Sequence, residues 1–573
     1  MVPTLDTLLT NLEAAKSDFQ PGATSKIRKL LWQISRRDSR EAKDIIRFHE
    51  ALLFLRAFPH SAEVVQHTEK LLDTFYERVE RVLETGADMS EFDDFDTSGI
   101  AGTTMQDTLS FEAARWAVRR IPRNVEIAWK DYDEERAMGA TWPRFIPLLA
   151  EDSDVEANIP WRKWLDAARG KQKDFEWLIR QFEQLKIGAG QNDRARAEIY
   201  DSLRLPLRWN LENLKTSRTR NWSRPRKVFF HTKPLITRKE VSLAEELARP
   251  LPVLKKQPVL EGESIVGFVR EVMLVRYREL YGTTLADPRS VVRAEVGRGV
   301  VIYLWNLPPE RRLPLRAYVA GFTVKNGVPI NYIEAIGLCE WIEVGFNTFY
   351  TYRQGETAWV YAQALRCLRA FTGAKTISVY PYQIGQNNDE ALDSGAFWFY
   401  RKLGFRSGDA ALETLARKEE LKIAEDPGYR TPRRILKQLA EAHLFYDVER
   451  AAGTPTPGPW DTFSTRNIAF RVNRRMAREF AGDVGRICTE SVTAVTRMLR
   501  IDTKRWSPWE RHSLENWSMV LAMTPSLPRW SSAEKHDLVK MIRSQAGNDE
   551  MDYLRRTQSH PRFREELLRL GSK

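Results

Sequence analysis

A chain of 573 residues is longer than a single hydrophobic core usually organises, and with 42% hydrophobic and 29% charged residues it has a globular rather than a disordered composition. A formal net charge of +12 is mild at this length and argues against a dedicated polyanion binder. Three scattered cysteines, Cys339, Cys367 and Cys488, exclude a disulfide framework, and the eight histidines form no metal-binding spacing, so no metal is expected.

From Lys26 to Glu84, apolar residues recur at three- and four-residue spacing (Ile45, Leu52, Leu55; Val64, Leu71, Leu72, Phe75), which predicts helices. The tract Asp88 to Thr103 interrupts them with Glu91, Asp93, Asp94 and Asp96 and reads as a solvated acidic loop. Helical patterning returns over Phe111–Ala128 and Trp161–Leu185, so residues 1–232 are expected to form an α-helical N-terminal region. Near its end Arg218, Arg220, Arg224, Arg226 and Lys227 surround Trp222. They predict either a solvated basic connector or an arm that contacts nucleic-acid phosphates while the ring stacks on a base. Residues 233–262, with Pro234, Pro250, Pro252 and Pro258, read as a linker, and residues 451–465, with Gly453, Pro455, Pro457, Gly458 and Pro459, as a second. Residues 466–573 are again helical and basic, with Arg471, Arg474, Arg475 and Arg478 clustered. No basic-then-apolar leader and no bilayer-length apolar run is present, so a cytoplasmic chain that does not engage membranes is expected.

The stretch 263–450 differs in character. An amphipathic helix over Glu263–Tyr281 is followed by strand-like runs at Val300–Trp305, Leu315–Val324, Ile330–Ile336 and Leu338–Phe346. Asn326-Gly327 between two of them is a hairpin signal, because both residues tolerate positive φ. A loop, Tyr352 to Ala358, then opens a helix carrying Tyr361, Leu365 and Leu368. A strand over Thr376–Tyr382, a polar loop with Asn387 and Asn388, and a helix over Leu392–Leu403 come next. His443–Val448 is a candidate closing strand, separated from Phe405 by a charged helical insertion, Ala410–Gln438. The expected architecture is a mixed, mostly antiparallel α/β sheet with helices on both faces, flanked by mainly α-helical N- and C-terminal domains.

Within this stretch, Ala396-Phe397-Trp398-Phe399-Tyr400-Arg401-Lys402-Leu403-Gly404-Phe405 resembles the A-x-x-x-Y-x-K-x-G-F segment near the end of the GNAT fold, the acyl-CoA N-acyltransferase superfamily. Arg353 to Ala358 is similar to that family's pyrophosphate loop, with the glycine one position early and Glu356 in its place, where it is expected to sit beside the phosphates. The resemblance implies an enzyme that takes acetyl-CoA or another acyl-CoA and moves the acyl group to an amine, a small molecule or a protein, by direct attack. It implies Tyr400 as the acid that protonates the departing thiolate. It implies cofactor contacts from Val344, Phe346, Arg353, Gln354, Gly355, Thr357 and Ala358, with Asn388 a loop residue near the cofactor. Independently of the family, a strand-to-helix turn presents unpaired backbone N–H groups at the positive end of a helix dipole, where anions bind; Gly355 permits close approach and Thr357 can cap.

Amine attack also needs a route for the proton, and Glu340 and Glu343 are the two candidate bases on the preceding strand. Alternation puts them on opposite faces, and burial among Leu338, Ile342 and Val344 is expected to raise the pKa of Glu340. Two other readings remain open: a degenerate scaffold that serves protein interaction, its helical flanks forming partner or oligomer contacts, and an acyl or aminoacyl transferase linked to tRNA or another RNA.

Overall fold

A computed structural model describes residues 3–133, 135–153, 161–187, 193–450 and 458–572. The chain is mixed α/β and divides into two compact units, Met1–Pro234 with Val266–Leu285, and Leu235–Ile265 with Ala286–Lys573. The helix Val259–Leu274, which begins the expected sheet domain, therefore gives its C-terminal half to the first unit.

In the first unit, helices Leu5–Ala15, Ala23–Ser35, Ala42–Ala57, Ala62–Asp73 and Phe75–Glu84 bury Ile45, Leu52, Leu55, Val64, Leu72 and Phe75, which carried the periodicity, together with Leu12, Ile27, Leu31 and Val79. Ser61 caps its helix by accepting from Val64 N. The expectation of an all-helical region fails next: β1 (Thr104–Thr108), β2 (Val125–Ile127) and β3 (Pro206–Asn210) form an antiparallel sheet in the order β1-β3-β2. These strands are too short for a period-2 signal to outweigh the helical text around them, and β1 buries only Met105 fully.

The basic tract is largely structural. Arg218 is buried, ion-paired to Glu50 at 2.9 Å and donating to the Asp96 carbonyl, and Arg220 reaches Asp73 and Asn213. The Trp222 ring is occupied by the guanidinium of Arg56 at 5.1 Å. Arg224, Arg226 and Lys227 stay exposed.

The second unit is built on a nine-stranded sheet. Its strands are β4 (Lys255–Lys256), β5 (Val292–Gly297), β6 (Val300–Asn306), β7 (Ala317–Lys325), β8 (Val328–Leu338), β9 (Trp341–Thr348), β10 (Thr376–Val379), β11 (Arg406–Ser407) and β12 (Leu444–Asp447). The spatial order is β11-β12-β10-β9-β8-β7-β6-β5-β4, antiparallel throughout except for the parallel pair β9/β10. Asn326 and Gly327, at φ 48° and 77°, make the β7–β8 turn as expected. Cys339 and Glu340 make another: the run Leu338–Phe346 is not continuous, because Leu338 pairs with Trp341 across a two-residue turn with Cys339 at φ 52°. The candidate closing strand exists, but as β12 it lies inside β11 rather than at the edge.

The 233–262 segment is ordered. Its short helix Leu243–Ala248 packs on the helix Thr357–Thr372, with Gln363 Nε2 donating to Glu246 at 2.8 Å. Of the second linker, residues 451–457 lie outside the described residues; beyond them Trp460 is fully buried and stacks on Trp341 at 5.6 Å. The C-terminal helices belong to this same unit: Thr557 Oγ1 accepts from Cys339 N at 3.1 Å, and Gln558 Nε2 donates to the carbonyls of Cys339 and Thr372 at 3.0 and 2.8 Å.

Candidate functional site

β9 and β10 pair only at Trp341/Thr376, Ile342/Ile377 and Glu343/Ser378. β10 then ends at Val379 while β9 runs on to Thr348, so Val344 to Thr348 part from β10. A single parallel contact that opens in this way leaves backbone groups of the longer strand without a ladder on that side. By alternation Ile342, Val344 and Phe346 share one face of the sheet, and the Phe346 ring meets Tyr361 of the helix Thr357–Thr372 at 4.9 Å. Trp341, Glu343 and Gly345 look to the other face.

The loop after β9 folds through the turn Tyr350–Tyr352 and closes with Gly355 N donating to the Tyr352 carbonyl at 2.8 Å. Among the described residues no side chain caps the helix Thr357–Thr372, so its first N–H groups lack a capping acceptor. Thr357, expected as a cap, donates its hydroxyl back to the Arg353 carbonyl at 3.2 Å. Gln354 is exposed, whereas Ala358 is buried. Arg353 is half-exposed, lies over the Tyr350 ring and is ion-paired with Glu390.

Glu356, expected beside a phosphate, does not stay on the loop surface. It turns inward, fully buried, and meets Arg298, Lys325 Nζ at 3.3 Å and the Ile236 N–H at 3.2 Å. Burial would push its carboxyl up, but Arg298 and Lys325 outweigh that and hold it below its ordinary value. Its charge is thereby met inside the fold.

Tyr400 sits in the helix Ala396–Arg401, buried against Tyr361 at 5.6 Å and Phe405 at 5.8 Å. Burial raises its pKa, which keeps the phenol protonated. Tyr361 beside it is fully buried, with no hydrogen-bond partner for its hydroxyl among the described residues. Asn388 is an N-cap: it accepts from Ala391 N at 3.1 Å and donates to the Tyr382 carbonyl at 3.0 Å.

The two candidate bases part company. Glu340 lies in the β8–β9 turn, accepting from Trp460 Nε1 at 2.8 Å and ion-paired with Arg564. Burial acts to raise its pKa as expected, yet the hydrogen bonds from Arg564 and Trp460 win and the net shift is downward, the wrong direction for a base at neutral pH. Glu343 sits at the last paired position before the strands part. Its carboxylate is 2.8 Å from His443 Nε2 and 3.6 Å from Arg316. His443 is partly exposed, with Tyr380 edge-on at 5.3 Å. Sequence reading missed His443; its one signal was its place two residues before Phe445 at the start of β12, which puts both on the face of Glu343.

No protein-family model, curated protein or solved structure matches this chain. Among the described residues no group of three or more His, Cys, Asp or Glu is placed to hold a metal, and no helix is long and apolar enough to cross a membrane.

Proposed function

We propose that the second unit is a GNAT-like acyltransferase that moves an acyl group from acyl-CoA to an amine. The observation that carries this reading is the parting of β9 from β10 directly before an uncapped helix N-terminus. That arrangement offers free strand backbone to a pantetheine amide and helix N–H groups to a pyrophosphate. Val344 and Phe346 line the parting, and Arg353 exchanges Glu390 for a phosphate. Glu343 and His443 relay the proton from the amine as its nitrogen attacks the thioester carbonyl. The C–N bond forms, the C–S bond breaks, and Tyr400 gives its proton to the departing thiolate.

Titration calorimetry of the full chain with acetyl-CoA tests the reading. Micromolar binding is expected, weakened about tenfold by Arg353→Ala, which removes one charge-assisted contact, and retained by Tyr400→Phe. Tyr400→Phe should instead lower turnover with an amine acceptor by roughly a hundredfold or more. The closed Arg353–Glu390 pair favours a second reading, a scaffold that binds no cofactor. Absence of heat from folded protein would select it.

A further inference from the structure

The first unit contains a cleft of about 290 Å³ that the acyltransferase reading does not use, lined by Glu112, Arg115, Trp116, Arg119, Arg120 and Arg270. The helix Phe111–Arg120 supplies all but the last, because three- and four-residue spacing brings 112, 115, 116 and 119 onto one stripe; Arg270 comes from the helix Val259–Leu274.

Three of the guanidiniums have carboxylates. Arg115 lies 3.4 Å from Glu112 and 3.2 Å from Glu183, Arg119 is 2.5 Å from Glu183, and Arg120 is 2.6 Å from Glu271. Arg270 differs. Among the described residues it forms no ion pair; its Nη2 donates to the Thr284 carbonyl at 2.7 Å, and its Nε is sealed from solvent without an acceptor. Arg270 is thus the one guanidinium of the four with no carboxylate within ion-pair distance among the described residues, although Glu112 and Glu279 lie near enough to act on its charge. A buried guanidinium N–H without a partner is a cost that a native structure carries for a reason, and an arriving anion removes it.

We propose that this cleft binds a phosphate monoester of nucleoside-monophosphate size. The phosphate oxygens accept from Arg270 and Arg115, whose planar forks match them, and the flat ring lies on Trp116, itself held edge-on by Trp209 at 6.3 Å. The volume stands at the lower limit of small-molecule sites, roughly 300 to 1,000 Å³, which suits one nucleotide and excludes a dinucleotide.

Calorimetry of the full chain with AMP and, separately, with inorganic phosphate at constant ionic strength tests the proposal. One saturable AMP site is expected, at least tenfold tighter than phosphate, weakened tenfold or more by Arg270→Gln and unchanged by Arg226→Gln, an exposed residue of the same unit outside the cleft. If Arg270→Gln fails to fold by circular dichroism, Arg119→Glu, on the exposed rim, reverses one charge without disturbing burial and should give the same loss. Equal affinity for AMP and phosphate would overturn the ring subsite. No saturable heat from folded protein, or an equal loss with Arg226→Gln, would overturn the site.

Discussion

Replacing Glu356 by Gln removes one charge from a place with no water to compensate it. The Glu356 and Lys325 side chains are both 0% exposed, and the lysine also donates to the Arg298 carbonyl at 2.7 Å. Burial already pulls the Lys325 pKa down to about 8, with Glu356 pulling the other way. Gln still accepts from Ile236 N but offers Lys325 no counter-charge, so the lysine sheds its proton. The loss is capped by the cost of deprotonating an ordinary lysine at pH 7, about 4 to 5 kcal/mol, and broken buried pairs cost about 3 to 5 kcal/mol; about 3 kcal/mol is expected. Arg298 is partly exposed and can be rehydrated. Hydrogen exchange over the helix Thr357–Thr372 reads this locally, without assuming that a chain of two units unfolds in one step, as a loss of protection of roughly a hundredfold. The double variant Glu356→Gln/Lys325→Met removes both charges and should return to within about 1 kcal/mol of the parent. A single variant within about 0.5 kcal/mol of the parent, or a double variant no better than the single, refutes the reasoning.

The Lys325 geometry also sets a pH dependence: its folded pKa is depressed, so its penalty is full below about pH 8 and is relieved as pH rises towards the unfolded value, a gain in stability over that window which Lys325→Met should lack. Glu550 has the opposite sign. Its buried carboxyl is pushed up to about 7 by desolvation, against the pull of Arg312, so stability is full below the unfolded value near 4 and is lost as pH rises through 7. In thermal melts Glu550→Gln should match the parent at pH 4 and exceed it by about 2 to 4 kcal/mol above pH 8. Gly99→Ala should destabilise the first unit by about 3 kcal/mol or more, since Gly99 sits at φ 81° and a Cβ there would lie 2.1 Å from the Val275 carbonyl oxygen; urea titration checks it. Arg564→Met should cost about 1 to 3 kcal/mol at pH 7, and the difference should vanish in acid as Glu340 protonates, because its folded pKa is depressed.

The elements legible in the sequence were those whose signal is local. Asn326-Gly327 fixed the β7–β8 turn by backbone chemistry alone, and Gly373, at φ 74°, ended the helix Thr357–Thr372 where the apolar period stopped. Strands buried on both faces, such as β7 and β8, stood out as continuous apolar runs. Strands that alternate weakly did not: β5 carries Arg293 and Glu295 on a partly exposed surface and was not anticipated, nor were β1 to β3. The Cys339-Glu340 turn was hidden because neither residue is a turn former; the non-local pairing of Leu338 with Trp341 imposes it.

The charged side chains explain why the site was only half readable. Glu356, Glu340 and Arg218 each stand in a stretch that suggests ligand chemistry, yet each is matched by a partner far along the chain: Lys325 and Arg298, Arg564, and Glu50. A carboxylate or guanidinium in a sequence announces a need for a counter-charge but not where that need is met, and desolvation makes the answer decisive once folding supplies it. The same logic works in reverse for Glu343 and Arg270. Glu343 finds His443 at the opening of β9 and β10, and Arg270 finds no ion-pair partner among the described residues. Function is therefore best sought at these two positions, where folding has left a charge with chemistry still to do.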